Sequence, residues 1–220
     1  MPDRITPAIQ DYLKTIHSLG GAEHEVSPVD IAAALEIKAP SVTGMLKRLV
    51  EAGLVEYETG QGVRLTETGI AQARRVIRRH RLVELFLTRV LGLDWSEVDA
   101  EADALEHAIS PRLEAAIAAH LGEPLEDPHG HPIPSAKGDL QKRNLKPLDQ
   151  FRAGQRVIIR EVQDDNPDRL RRWQTLGLIP GATVQFVSHQ PLDDLFHLQV
   201  GDHAFPVGSE GLAGLRGELA

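Results

Sequence analysis

The sequence predicts a mainly α-helical chain with a smaller β portion, arranged as a winged helix-turn-helix unit, a helical middle and a small antiparallel β-barrel. Three observations carry this. Apolar residues recur at spacings of three and four through roughly the first 120 positions. After Phe151 the pattern changes to period two. Aromatics are only 4% of the 220 residues, so Ala and Leu supply most of the apolar mass, which favours helices over a β-sandwich. The boundaries read from these changes are 1–73, 74–140, a linker at 141–150, and 151–220.

Each element has a local cause. Ile9, Tyr12, Leu13, Ile16 and Leu19 make one helical face, closed by Gly20-Gly21. Ser27-Pro28 supplies an N-cap and a proline at the first helical position. After a turn at Glu36 to Ala39, Val42, Met45, Leu46 and Leu49 form the inward side of a helix stopped at Gly53. Leu54 to Glu58 and Val63 to Thr66 read as a hairpin around Thr59 to Gly62. Helix, helix, tight turn, helix, hairpin is the winged helix-turn-helix order, although any small α+β unit shares it. A long helix follows, from Thr66 to about Leu91, with Ile70, Ala73, Ile77, His80, Glu84, Leu87 and Leu91 inward. Ser96 with Asp99 predicts a cap for a helix through Ile109, and Ser110-Pro111 opens another that ends near Gly122. Four prolines between Glu123 and Pro134 exclude regular structure there. Strands are expected at Val157–Ile159, Val184–Val187, Phe196–Val200 and Ala204–Val207.

Composition removes several function classes. There is no cysteine, which excludes disulfides, thiolate zinc sites and cysteine nucleophiles. No apolar run approaches the ~20 residues of a bilayer span, and Met1 to Leu13 carries no signal-peptide pattern. A soluble, cytoplasmic chain without a membrane partner is expected. The net charge of −8 argues against a nucleic-acid partner until its distribution is considered. Residues 1–79 hold ten Lys/Arg and ten Asp/Glu, whereas Asp94 to Asp127 contains ten carboxylates and one base, Arg112. A neutral first part beside a concentrated acidic one suggests anion contact in one and cation capture in the other.

The acidic stretch is the most informative. At about 100° per residue, Asp99, Asp103, Glu106 and His107 share one helical face. Val98, Ala102, Leu105 and Ile109 make an apolar stripe on one side of it, and Ala100, Ala104 and Ala108 a small-residue stripe on the other. Carboxylates crowded in this way repel one another unless protonated or joined by a cation. The bland alternative is a solvated acidic face. His80 and Glu84, one turn apart on the core side of the preceding helix, add an imidazole and a carboxylate, as bundle-type metal sites do; alternatively, the pair simply hydrogen-bonds to itself. With no thiolate and only Met1 and Met45 as thioethers, the donors suit Mn(II) or Fe(II), with Zn(II), Co(II) or Ni(II) able to bind in vitro.

On the third helix, Ser41, Thr43, Gly44, Lys47 and Arg48 lie opposite the apolar stripe. Small residues let a helix backbone approach a groove, and Lys47 and Arg48 reach phosphates. Lys38 and Pro40 stand at the start of this helix and Arg64 in the hairpin. An ordinary exposed face is the alternative. Arg74, Arg75, Arg78 and Arg79 read as a solvated face of the long helix. No His-Glu-x-x-His, phosphate-binding glycine loop or nucleophile elbow is present, so neither an enzyme nor a small-molecule substrate is expected. A carboxylate/histidine metalloenzyme and a metal-buffering protein without DNA function remain the alternatives to a DNA-binding metal sensor.

These pieces resemble the diphtheria toxin repressor family, in the three-domain form that includes manganese transport regulators. The resemblance is carried by Asp11-Tyr12-Leu13, Ala39-Pro40-Ser41-Val42-Thr43, His80-Arg81-Leu82-x-Glu84, Glu106-His107 and Asp127-Pro128-His129-Gly130-His131-Pro132-Ile133-Pro134, in that order. It implies a homodimeric repressor with an SH3-like (FeoA-like) barrel that binds a palindromic double-stranded DNA operator when metal-loaded. It also implies a primary metal site at Asp11, Asp103, Glu106 and His107. An ancillary site would take His80, Glu84 and Asp99 plus two barrel residues. The aligned barrel positions are Asn166 and Arg169, and since arginine cannot ligate, Asp165 and Asp168 are the substitutes. Iron-responsive relatives carry methionine and cysteine where this chain has Asp11 and Asp103, which points to manganese. Two-ion manganese regulators carry glutamate where this chain has Lys14, which points to two separate ions.

Overall fold

The computed structural model describes residues 5–58, 60–163 and 166–220. Contacts divide the chain into two compact units: one runs up to Arg79 and includes Pro134–Leu140, and the other comprises His80–Ile133 and Gln141–Ala220.

In the first unit, α1 (Pro7–Ser18), α2 (Pro28–Ala34) and α3 (Ala39–Glu51) precede the hairpin of β1 (Val55–Glu58) and β2 (Gly62–Leu65), and α4 (Glu67–Arg89) begins after it. The Ser27 cap forms as the sequence predicts, its side chain accepting from Val29 N, and Thr6 caps α1 in the same way by accepting from Ile9 N. Thr66 accepts from Gly69 N at 3.1 Å to start α4, and its hydroxyl donates to Gly53 O at 2.8 Å, joining the hairpin to the turn after α3. Leu13, Ile16, Ile31, Val42, Leu46, Leu49 and Val63 are fully buried in one core. Val26 pairs with Val63, adding an antiparallel bridge beside the hairpin. This is a winged helix-turn-helix arrangement. The arginines of α4 differ from the expected solvated face. Arg78 is buried and donates to Pro134 O at 2.8 Å, and Arg74 donates to Gly138 O at 3.0 Å. Two of the four guanidiniums thus satisfy backbone carbonyls of the segment 134–140.

In the second unit, the end of α4 packs with α5 (Val98–Glu106) and α6 (Pro111–His120) around Leu82, Leu85, Val98, Ala102, Ile117 and Ile133. Three details differ from the sequence reading. Helix α4 stops at Arg89, so Leu91 lies beyond it and is 57% exposed. Ser96 does not cap α5; both its N–H and its hydroxyl donate to Asp94 Oδ1, and Glu97 holds the cap position without a side-chain bond. Leu105 is exposed, while Glu106 takes the buried place on α5.

The remaining strands are β3 (Lys146–Pro147), β4 (Arg156–Val162), β5 (Thr183–Gln190), β6 (Leu195–Val200), β7 (His203–Gly208) and β8 (Leu215–Leu219), in the order β3-β8-β4-β5-β6-β7, all antiparallel. They form the SH3-like part of the fold, with Leu148, Trp173, Phe186, Phe196 and Leu198 in its core. Residues 146–150 belong to this sheet and a 3-10 turn rather than to a featureless linker. A helix, α7 (Pro167–Leu176), interrupts the strands. No helix among the described residues is long and apolar enough to cross a membrane.

Candidate functional site

The chemistry of the second unit converges on one imidazole. His80, on α4, is buried, and α5 presents a carboxylate to each side of it. Its Nε2 lies 3.2 Å from Asp99 Oδ1 and 3.6 Å from Glu84 Oε1. Its Nδ1 lies 3.2 Å from Asp103 Oδ1 and 2.7 Å from Glu106 Oε2. Glu106 is only 1% exposed, and its other oxygen is 3.5 Å from His107 Nε2. The helical spacing explains the convergence. Asp99, Asp103 and Glu106 fall on one face of α5, and His80 and Glu84 on one face of α4. Ligand atoms of His80, Asp99 and Asp103 lie within 4.8 Å of one another.

The expected repulsion among these carboxylates is therefore answered from inside the protein. Burial disfavours the charged form of His80, but hydrogen bonds to Asp103, Asp99, Glu106 and Glu84 outweigh it and raise the pKa well above the ordinary imidazole value. Glu84 is likewise buried, which alone would raise its pKa. Its bonds to His129 and His80 hold it well below the usual carboxylate range. A folded-state pKa raised above the unfolded value stabilises the fold fully below about pH 6.5 and is lost as pH climbs through the folded value. The metal-free protein is thus expected to melt at lower temperature as pH rises above about 6.5. His80→Gln should flatten that slope, which thermal unfolding in chelator would measure; an identical slope in the variant would contradict this role for His80.

The donor set is carboxylate oxygen and imidazole nitrogen without sulfur, which fits a borderline or hard divalent cation. Removing one proton of the His80 imidazolium would give such an ion one nitrogen lone pair among four carboxylates, the other nitrogen keeping its N–H toward a carboxylate oxygen. The other candidate ligands are placed as follows. Asp11 lies half-buried on α1 of the first unit. Asp168 is exposed and pairs with Arg171 at 3.0 Å, outside every cluster of candidate ligands among the described residues. Asp165 lies outside the described residues. Asn166 caps α7, accepting from Asp168 N and Arg169 N, and Arg169 lies over the Trp173 ring and donates to Glu210 O at 2.5 Å. Both aligned barrel positions thus have structural partners. The Asp127–Pro134 motif, which carries part of the family resemblance but none of the expected ligands, places His129 within 3.3 Å of Glu84.

In the first unit, Lys38, Pro40, Ser41, Thr43, Gly44, Lys47 and Arg48 are all exposed along α3, opposite buried Val42, Leu46 and Leu49. Arg64 is exposed on β2. A Cβ added at Gly44 would meet nothing within 4 Å, so this face is open to a close backbone approach.

A winged helix-turn-helix with an open basic helix face, followed in the chain by a carboxylate–imidazole cluster, defines a metal-dependent DNA-binding regulator. The comparisons agree. Residues 4–63 match the iron dependent repressor N-terminal DNA binding domain, 66–135 the iron dependent repressor metal binding and dimerisation domain, and 146–212 the FeoA domain. The iron-dependent repressor IdeR of Mycobacterium leprae (strain TN) is 34% identical over 187 residues, covering 79% of this chain and 80% of that protein. The diphtheria toxin repressor of Corynebacterium diphtheriae (strain ATCC 700971 / NCTC 13129 / Biotype gravis) is 31% identical over 202 residues, covering 91% and 84%. A solved manganese-dependent transcriptional repressor in complex with manganese superposes with a TM-score of 0.88 at 31% identity, covering 96% of this chain and 99% of that one. The chain belongs to the iron-dependent (diphtheria toxin) repressor family, whose members are metal-dependent transcriptional repressors and not enzymes.

Proposed function

We propose that this repressor senses Mn(II), with Fe(II) as the alternative ion, and as a cytoplasmic homodimer binds a palindromic operator when loaded. The observation that carries the reading is the sulfur-free donor set around His80, in which every candidate ligand is oxygen or imidazole nitrogen. Asp103, Glu106 and His107 would hold the primary ion together with Asp11, the ligand the family pattern assigns to the DNA-reading unit. His80, Glu84 and Asp99 would hold the ancillary one. A divalent cation supplies the positive charge that His80 otherwise provides as an imidazolium. Asp11 is then drawn to the same centre as the α5 ligands, which fixes how the recognition helices of a dimer are presented to successive major grooves. Exposed Leu105 and Leu113, on α5 and α6 of the matched dimerisation domain, support self-association, since apolar side chains left uncovered there gain by burial against a second copy.

A gel-shift titration against the protein's own upstream DNA, with Mn(II), Fe(II), Zn(II) and chelator, tests the reading. Retention with Mn(II) or Fe(II) and release by chelator is expected; equal retention by the metal-free protein would overturn it. In the same assay, Lys47→Ala or Arg48→Ala should weaken binding across DNA sequences. Each should lower the slope of log affinity against log salt by about one, as loss of a phosphate contact does. Unchanged slopes in both would remove α3 from the DNA.

A further inference from the structure

The Asp127–Pro132 segment is folded around the buried carboxylate of its own first residue. Asp127 is buried; its Oδ1 accepts from His129 N at 2.8 Å and His131 N at 2.9 Å, and its Oδ2 lies 3.1 Å from His131 Nδ1. Arg81 Nε stands 3.5 Å from the same oxygen, and Asp127 N donates to His131 O at 3.0 Å. The product of this scaffold is one buried imidazole. His129 is 4% exposed, with Nδ1 3.3 Å from Glu84 Oε1 and Nε2 3.0 Å from Trp95 O, and its ring stacks on Trp95 at 5.2 Å between centroids. Both ring nitrogens therefore face oxygens, and Glu84 Oε1 sits between the imidazoles of His80 and His129.

The same residue reaches the SH3-like sheet. His129 O accepts from Val162 N of β4 at 2.9 Å. Gly130 O accepts from Arg143, and Trp95 Nε1 donates to Gln174 of α7 at 3.0 Å. The sheet thus grips the segment that aims His129, although none of its described residues joins the clusters of candidate ligands.

We propose that His129 is a positioning residue for the ancillary metal: it holds Glu84 in the ligating orientation, and through it the SH3-like sheet sets metal affinity without donating a ligand. Outer-shell partners of ligating carboxylates act in this way, fixing orientation so that less freedom is lost on binding. The proposal rests on the assignment of Glu84 to the ancillary site, and the experiment separates the two.

Mn(II) binding to the full-length protein is followed by the EPR signal of free Mn(II), and the Trp95 indole N–H resonance by NMR during titration with diamagnetic Zn(II). Glu84→Gln should lose one ion per chain; retention of both would overturn the ancillary assignment and the proposal with it. With that ion lost in Glu84→Gln, His129→Phe, which keeps the stack on Trp95 but has no donor, should weaken one of the two sites about 10–100-fold and leave the other unchanged. His129→Asn, which keeps an N–H near the Nδ1 position, should recover most of that loss. In the wild type the Trp95 resonance should shift with occupancy of the weakened site, and in His129→Phe it should no longer track it. His129→Met, equally without a donor, carries the same expectation where the phenylalanine variant does not fold. Wild-type affinity at both sites in the Phe or Met variant, or equal loss in Asn and Phe, would overturn the positioning role while leaving Glu84 a ligand.

Discussion

Glu106→Gln is expected to abolish metal-dependent operator retention while leaving the metal-free protein folded. Glu106 is the most buried carboxylate of the cluster, and it touches both His80, at 2.7 Å, and His107, at 3.5 Å. Glutamine preserves the volume and keeps an oxygen that accepts from His80, so the packing of α5 against α4 survives. It removes the negative charge that attracts a divalent ion. The loss of affinity should exceed the ~10–100-fold typical of an outer-shell partner, because on the proposed assignment Glu106 is itself a ligand. Allosteric linkage is typically about 1–3 kcal/mol per site, and the proposed homodimer would have two such sites. Glu106→Ala behaves differently: removing one member of a buried pair costs about 3–5 kcal/mol and endangers the fold. Gel shifts with Mn(II) and melting in chelator, run on both variants beside Asp11→Ala, read the two effects apart. If Glu106→Gln still requires Mn(II) at the wild-type concentration, Glu106 is not a ligand.

The parts of this picture that were legible in the sequence are those with short-range causes. Ser27-Pro28 and Ser110-Pro111 each carry a cap hydroxyl and a preset backbone angle within two residues, and both helices begin where that chemistry places them. The face of α5 was legible because 3.6-residue periodicity alone aligns Asp99, Asp103 and Glu106. The centrality of His80 was not, since which nitrogen meets which carboxylate depends on how α4 and α5 pack. Ser96 misled because its own N–H and hydroxyl are both engaged by Asp94, two residues earlier. Strand β3 is two residues long and exists only by pairing with β8, about seventy positions away, so no local pattern announces it. Helix α7 did carry a signal, Asn166-Pro167 at its start and Leu170 and Trp173 on one side, but it was hidden within a stretch dominated by period-two alternation. Leu105 shows the limit of periodicity from the other direction: the helical wheel places it beside Val98 and Ala102, yet it remains exposed.

Gly130→Ala is expected to be among the most destabilising single-methyl additions in the second unit. Gly130 has φ +84°, in the left-handed region, and a Cβ there would stand 1.9 Å from Arg160 O and 2.9 Å from Arg160 C. Both are backbone atoms, and neither can swing aside as a side chain would. Arg160 lies where the β4–β8 register shifts, between Ile159 and Glu161, and the neighbouring Val162 N is already committed to His129 O. Relief therefore requires lifting the Asp127–Pro132 segment off the sheet, at the expense of that hydrogen bond. Left-handed strain contributes about 1–2 kcal/mol and overpacking about 1–3 kcal/mol. Gly181→Ala separates these terms, since Gly181 has nearly the same φ, +87°, and nothing within 4 Å of the added carbon. Thermal unfolding in chelator should show Gly181→Ala shifted by the strain alone and Gly130→Ala by roughly twice that or more. Equal shifts would mean that the segment is not seated against β4, and the route from the sheet to Glu84 through His129 would be lost with it.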